Sequence, residues 1–114
     1  MNYDFVKKWS DELASDTYNY CKERLYCNLV SAESTATYEA YDAWGVACLL
    51  LEQSNPELFY YDWRRDTMPP TTVTEYLSEV DWGYVIELSD GYGFDAVCLY
   101  LDKVVEDGSY RTNN

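Results

Sequence analysis

Residues Trp82-Gly83-Tyr84-Val85-Ile86-Glu87-Leu88-Ser89-Asp90-Gly91-Tyr92-Gly93-Phe94-Asp95-Ala96-Val97-Cys98-Leu99-Tyr100-Leu101-Asp102 admit two readings, and the choice between them decides the fold. Upstream, Thr72 and Glu75 have the spacing of a capping box. Val73, Tyr76, Leu77, Val80, Tyr84 and Leu88 then keep a helical period until Asp90-Gly91 offers a stop. Phe94, Val97, Cys98, Leu101, Val104 and Val105 carry the same period on to Asp107-Gly108. The rival reading makes residues 84–88 and 96–101 two strands joined through 89–93. Gly83, which inside a helix would cost about 1 kcal/mol, favours it. The helical reading predicts a mostly α protein, a compact bundle of about five or six helices. The alternative is α+β, with N-terminal helices and a C-terminal β-hairpin around residues 82–102.

Working outward, the opening segment reads as a helix. Asp4 can cap it, Phe5, Trp9 and Leu13 fall on one face, and Lys7, Lys8, Asp11 and Glu12 take the other. After an interruption at 15–17, Tyr18, Cys21, Leu25 and Leu29 restore the period, which predicts either a second helix or a bent continuation of the first, with Cys21 and Cys27 on different faces. Ser34 or Thr35 starts the next, whose buried stripe is Tyr38, Tyr41, Trp44, Cys48 and Leu51, ending at Ser54-Asn55-Pro56. It is the most apolar segment and so the central one. Asn55 as cap and Pro56 in the first turn open a short helix carrying Leu58, Phe59 and Trp63; Met68-Pro69-Pro70 closes it as a stiff connector. Trp9, Trp44, Phe59 and Phe94 are expected in the core. The whole of 1–114 is read as a single domain, with a frayed tail at 109–114.

Composition bounds what such a chain does. Its 114 residues are 47% hydrophobic and include twenty aromatics, thirteen of them Tyr, enough for one core despite a net charge of −13. The imbalance is local. Residues 1–24 hold five acids and four bases, whereas between Leu25 and Asp102 fourteen acids face only Arg64 and Arg65. From Asp66 to Asp102 there is no Lys, Arg or His. Ordinary surfaces mix both signs, so a one-signed half calls for a reason. A pI near 4.1 excludes attraction to nucleic acid or anionic membrane and favours a basic partner. Residues 1–24 are too charged for a signal peptide, and the apolar run 43–51 is too short to span a bilayer, so a cytoplasmic location is expected, in the host if the chain is viral.

Catalytic chemistry has little to work with. There is no His, so a Ser or Cys nucleophile would need a lysine, a carboxylate or a helix terminus, and twenty-one carboxylates make pairs by chance. Cys21, Cys27, Cys48 and Cys98 lack a short paired spacing and read as reduced core thiols, not zinc ligands. The stretch 90–95 is nearest to a calcium loop but lacks its ligand spacing, and Gly91-Tyr92-Gly93 lacks the third Gly of a nucleotide fingerprint. No enzyme, metal or cofactor is expected.

What remains is the acidic surface. Glu75/Glu79 and Asp95/Asp102/Glu106 on helices would form rows of negative charge with gaps of about 6 and 10 Å, comparable with successive phosphates along a strand. With Glu87 and Asp90, and with Tyr92 and Tyr100 as interface anchors, these are the candidate partner-binding residues. Tyr60 and Tyr61 also fit no buried stripe. Taken singly, each carboxylate is equally the solvated side of a helix, and Asp4, Asp90 and Asp95 could be caps. Arg64 and Arg65 are expected to pair internally with Asp62 or Asp66, or with an acidic helix nearby.

In size, charge and Tyr content the chain is similar to small phage-encoded antirestriction and anti-CRISPR proteins, though no stretch matches a motif of theirs. That similarity implies a nucleic-acid mimic occluding a basic nucleic-acid-binding protein: a restriction enzyme, CRISPR effector, nuclease or DNA-binding regulator. A homodimer would lengthen the charged face. The alternatives are an immunity or antitoxin protein capping a cognate basic toxin, with its acids in one compact patch, and a generic acidic interaction domain.

Overall fold

Asp42 opens the central helix: its side chain accepts the Gly45 N–H at 2.7 Å, and α2 (Ala43–Ser54) runs from there buried as far as Leu51 except at the half-buried Leu49. The structure, a computed structural model, describes residues 2–112, with side chains described as far as Gly108. α1 (Tyr3–Ala14) and α5 (Phe94–Thr112) pack along one another, α4 (Trp82–Tyr92) bridges α5 and α2, and α3 (Thr71–Tyr76) is short. Between α1 and α2 lies a three-stranded sheet of β1 (Asn19–Tyr20), β2 (Tyr26–Val30) and β3 (Thr37–Tyr41) in the order β1-β3-β2. The protein is mostly α, with five α-helices among the described residues and one small sheet.

Three fully buried tryptophans hold the elements together, and each indole N–H finds a partner, as burial requires. Trp9 donates to the Ala43 carbonyl at 2.9 Å, Trp44 to the Trp82 carbonyl at 3.0 Å and Trp63 to Glu52 Oε2 at 2.9 Å. Trp9 and Trp44 rings sit 4.8 Å apart, joining α1 to α2. Backbones also meet closely. A Cβ added at Gly45 would lie 1.8 Å from the Leu25 carbonyl oxygen, so only glycine lets the 22–25 loop seat on α2. Phe59, expected in the core, is half-buried at its margin, as is Phe94.

The decisive stretch 82–102 is helical on both sides of a break at Gly93, and the C-terminal hairpin of the alternative reading does not form. Gly83 lies in the first turn of α4, where the Asp81 side chain caps the Tyr84 N–H at 3.2 Å, so its interior-helix cost is not incurred. The stop comes at Gly93 (φ 88°), not at Asp90-Gly91, because that left-handed C-cap suits glycine.

The sheet instead occupies the region where a second helix or a bent continuation of the first was expected, together with the start expected at Ser34 or Thr35 for the next helix: Tyr38 and Tyr41 lie on β3, and that helix begins only at Ala43. Tyr26 pairs with Tyr41, Asn28 with Glu39 and Val30 with Thr37, antiparallel, while β1 joins β3 in parallel. Tyr, Val and Thr favour a pleated surface, and positive φ at Asp16 (61°), Glu23 (64°) and Thr35 (57°) interrupts any helix through this region. Cys21 and Cys27 therefore do not take opposite helix faces: their side chains interact, and burial, with Cys27 next, pushes the Cys21 thiol up to about 12. All four cysteines are free.

Other termini moved too. Asn2, not Asp4, stands at the start of α1. Asn55 makes no side-chain cap, and the short helix after it is two one-turn 3-10 segments, Pro56–Leu58 and Trp63–Arg65. Pro70 precedes α3 and no capping box forms there, since Thr72 donates its hydroxyl to the Leu58 carbonyl. The long helix expected from Val73 breaks at 77–81. α5 continues through Asp107-Gly108, where a Cβ on Gly108 would meet the Tyr3 ring at 2.2 Å. The backbone is helical to Thr112; Asn113 and Asn114, the end of the tail expected to fray, lie outside the described residues.

Candidate acidic interface

α5 carries the most regular arrangement. Asp95, Leu99, Asp102 and Glu106 recur at spacings of four, three and four, so they share one stripe, and all four are exposed. A rise of 1.5 Å per residue sets Asp95 about 10 Å from Asp102, and Asp102 about 6 Å from Glu106, along the axis. Asp102 Oδ1 accepts from the buried Ser10 hydroxyl at 2.6 Å, which fixes the stripe against α1. There Lys7 bonds Asp11 at 2.8 Å; that bond, and more weakly Asp102, raises the lysine pKa. Lys103 is the one basic residue between Asp66 and Gly108.

On α4, Glu87 is exposed and Tyr92 80% exposed, so both stand clear. Asp90 is partly buried and accepts the Glu23 N–H at 3.1 Å, which ties α4 to the 22–25 loop. Tyr100 is half-buried: its hydroxyl accepts the Asp81 N–H at 2.9 Å and its ring meets Tyr84 edge-on at 5.0 Å. Glu75 is exposed on α3, but Glu79 lies beyond the end of that helix and turns inward. Its Oε2 is buried without a partner among the described residues, beside a hollow of about 180 Å³ lined by Tyr3, Val104, Asp107 and Gly108. The Glu75/Glu79 row therefore does not exist, because α3 stops at Tyr76. Of the nine residues singled out, Glu75, Glu87, Asp95, Asp102, Glu106 and Tyr92 are surface groups; Glu79, Asp90 and Tyr100 are built into the fold.

Sequence reasoning passed over Leu99, 75% exposed in the middle of the α5 stripe, and Trp82, which borders a pocket of about 270 Å³ with Met68, Pro69, Thr71 and Thr74. Leu99 could have been found, since it lies four residues from Asp95 and three from Asp102. Trp82 could not, since its exposure follows from where α4 begins.

Arg64 pairs internally with Asp62 and with a neighbouring helix, as expected, whereas Arg65 does not. Arg64 forms a bidentate bridge to Glu52 at 3.0 and 2.8 Å, stacks over Trp63 at 4.5 Å, and meets Asp62 at 3.5 Å. The Arg64 hydrogen bond holds the Glu52 carboxyl below its ordinary value. Arg65 makes no ion pair among the described residues. Burial pushes Asp42 up to about 7 against the amide bond from Gly45, and Asp90 adds to the rise. Among the described residues, no three His, Cys, Asp or Glu side chains are grouped to hold a metal ion, and no helix is long and apolar enough to cross a membrane. No protein-family model, curated protein or solved structure matches this chain.

Proposed function

We propose that this chain is a non-catalytic acidic inhibitor that mimics nucleic acid and occludes a basic nucleic-acid-binding protein of the restriction, CRISPR, nuclease or regulator kind, acting in the cytoplasm. The observation that carries the reading is the segregation of charge on rigid elements. Between Asp66 and Gly108, seven acids are exposed (Glu75, Asp81, Glu87, Asp95, Asp102, Glu106, Asp107) against the single base Lys103. Four of them lie on α5, on a body measuring 54 × 30 × 21 Å. A groove built for phosphates presents Lys and Arg, and those groups accept carboxylates in the same bidentate or point-charge manner.

Long-range attraction between the two fields raises the association rate, and desolvated contacts slow dissociation. Tyr92 and Leu99, set among the carboxylates, supply apolar area for the second step. The spread of the acids over α3, α4 and α5 supports mimicry over an immunity protein, whose acids would gather against one active site. The test is capture of partners from bacterial lysate at low salt, followed by elution with duplex DNA. Release of DNA-binding proteins by DNA supports mimicry; one partner that DNA does not release favours the immunity reading.

A further inference from the structure

Three of the eight basic residues, Arg24, Arg64 and Arg65, line one cleft of about 400 Å³, on elements other than the acidic helices. One wall is β2, an edge strand of the sheet. Among the described residues, no backbone hydrogen bond leaves residues 26–30 on the side away from β3, and Asn28, Leu29 and Val30 are exposed. The other wall is the Trp63–Arg65 turn with Asp62. Arg64 is already answered by Glu52 and Asp62. Arg24 and Arg65 are exposed and have no ion pair or side-chain hydrogen bond among the described residues, in a chain with twenty-one carboxylates. An open strand edge thus runs beside two uncommitted guanidinium groups.

We propose that this cleft binds an extended acidic peptide segment of a partner protein, whose backbone pairs with the open edge of β2 at residues 28–30 while its carboxylates take Arg24 and Arg65. Each part of the cleft matches one part of that ligand. Strand addition satisfies the unpaired N–H and C=O groups of an edge and reads alternate side chains. The planar guanidinium fork matches a carboxylate bidentately. Leu29 and Val30 offer apolar contact to the side chains between the acids. A polyanion such as nucleic acid is disfavoured, because the field of a −13 protein repels it over its whole length while a short peptide carries only two or three charges into the cleft. The proposal does not rest on the acidic-face reading.

The test is a titration of the isotopically labelled 114-residue chain, followed by amide and arginine side-chain NMR. The probes are a capped peptide of alternating valine and glutamate, its valine–glutamine counterpart, a single-stranded oligonucleotide and inorganic phosphate. The glutamate peptide is expected to give saturable shifts at the amides of residues 28–30 and at the Arg24 and Arg65 side chains. Arg24→Gln with Arg65→Gln, both at exposed positions, is expected to weaken it about tenfold or more with the remaining spectrum unchanged. Absence of saturable shifts at those amides overturns the proposal. So does equal binding of the glutamine peptide, or binding of oligonucleotide or phosphate at the arginines without response from residues 28–30.

Discussion

Asp42 is a carboxylate held only 3% exposed at the head of the central helix, and replacing it with Asn isolates the effect of its charge. Burial raises its pKa from 3.8 to about 7, against the stabilising amide bond from Gly45. The sign follows from linkage: below 3.8 the folded and unfolded states are both protonated there. Between 3.8 and about 7 the folded state keeps a proton that the unfolded state releases, so this group's contribution to stability falls as pH rises and levels off above 7. At about 1.36 kcal/mol per pH unit, that interval corresponds to about 4 kcal/mol. Asn retains an acceptor for the Gly45 N–H but loses the charge-assisted part of the cap, about 1 kcal/mol or more. Asp42→Asn is therefore expected to stabilise the protein by about 1–3 kcal/mol near pH 8, with the gain shrinking toward pH 5. Urea unfolding followed by tryptophan fluorescence at several pH values measures this. A variant less stable than the parent near pH 8, or a difference independent of pH, would refute the reasoning.

Gly45→Ala drives a methyl into the Leu25 carbonyl and should cost about 3 kcal/mol or more, read as a large drop in urea midpoint or loss of the folded protein. Charge reversal of Glu75, Glu87, Asp95 and Glu106 to Lys, all exposed, should abolish partner binding while leaving the circular-dichroism spectrum unchanged. Glu79 and Asp102 are left intact in that variant, because one is turned inward and the other holds Ser10. Tyr92→Ala should weaken the partner complex by about 1–2 kcal/mol with no change in unfolding midpoint, since its ring is 80% exposed.

Helical periodicity identified α1, the body of α2, and the helical nature of 82–102, because those stripes coincide with the buried faces. It failed at 18–41 for a physical reason. Tyr18, Cys21, Leu25 and Leu29 have helical spacing by coincidence, while Leu25 is buried because its carbonyl seats on Gly45, a contact that local spacing does not encode. The caps expected at Asp4, Asn55 and Thr72 are not used, whereas Asp42 and Asp81 are, since capping depends on where packing lets a helix begin. The sign of the surface was legible because it is a property of composition. Which acids stand clear was not: the break after Tyr76 turns Glu79 inward, and docking of the 22–25 loop engages Asp90.

The measurement that tests the central claim most directly is competition between this protein and duplex DNA for one captured DNA-binding partner, repeated as salt rises from about 0.05 to 0.2 M. The account predicts mutually exclusive binding, with DNA raising the apparent Kd in proportion to its own occupancy, and an affinity that falls steeply with salt. A ternary complex of protein, partner and DNA, or an affinity indifferent to salt, would contradict it.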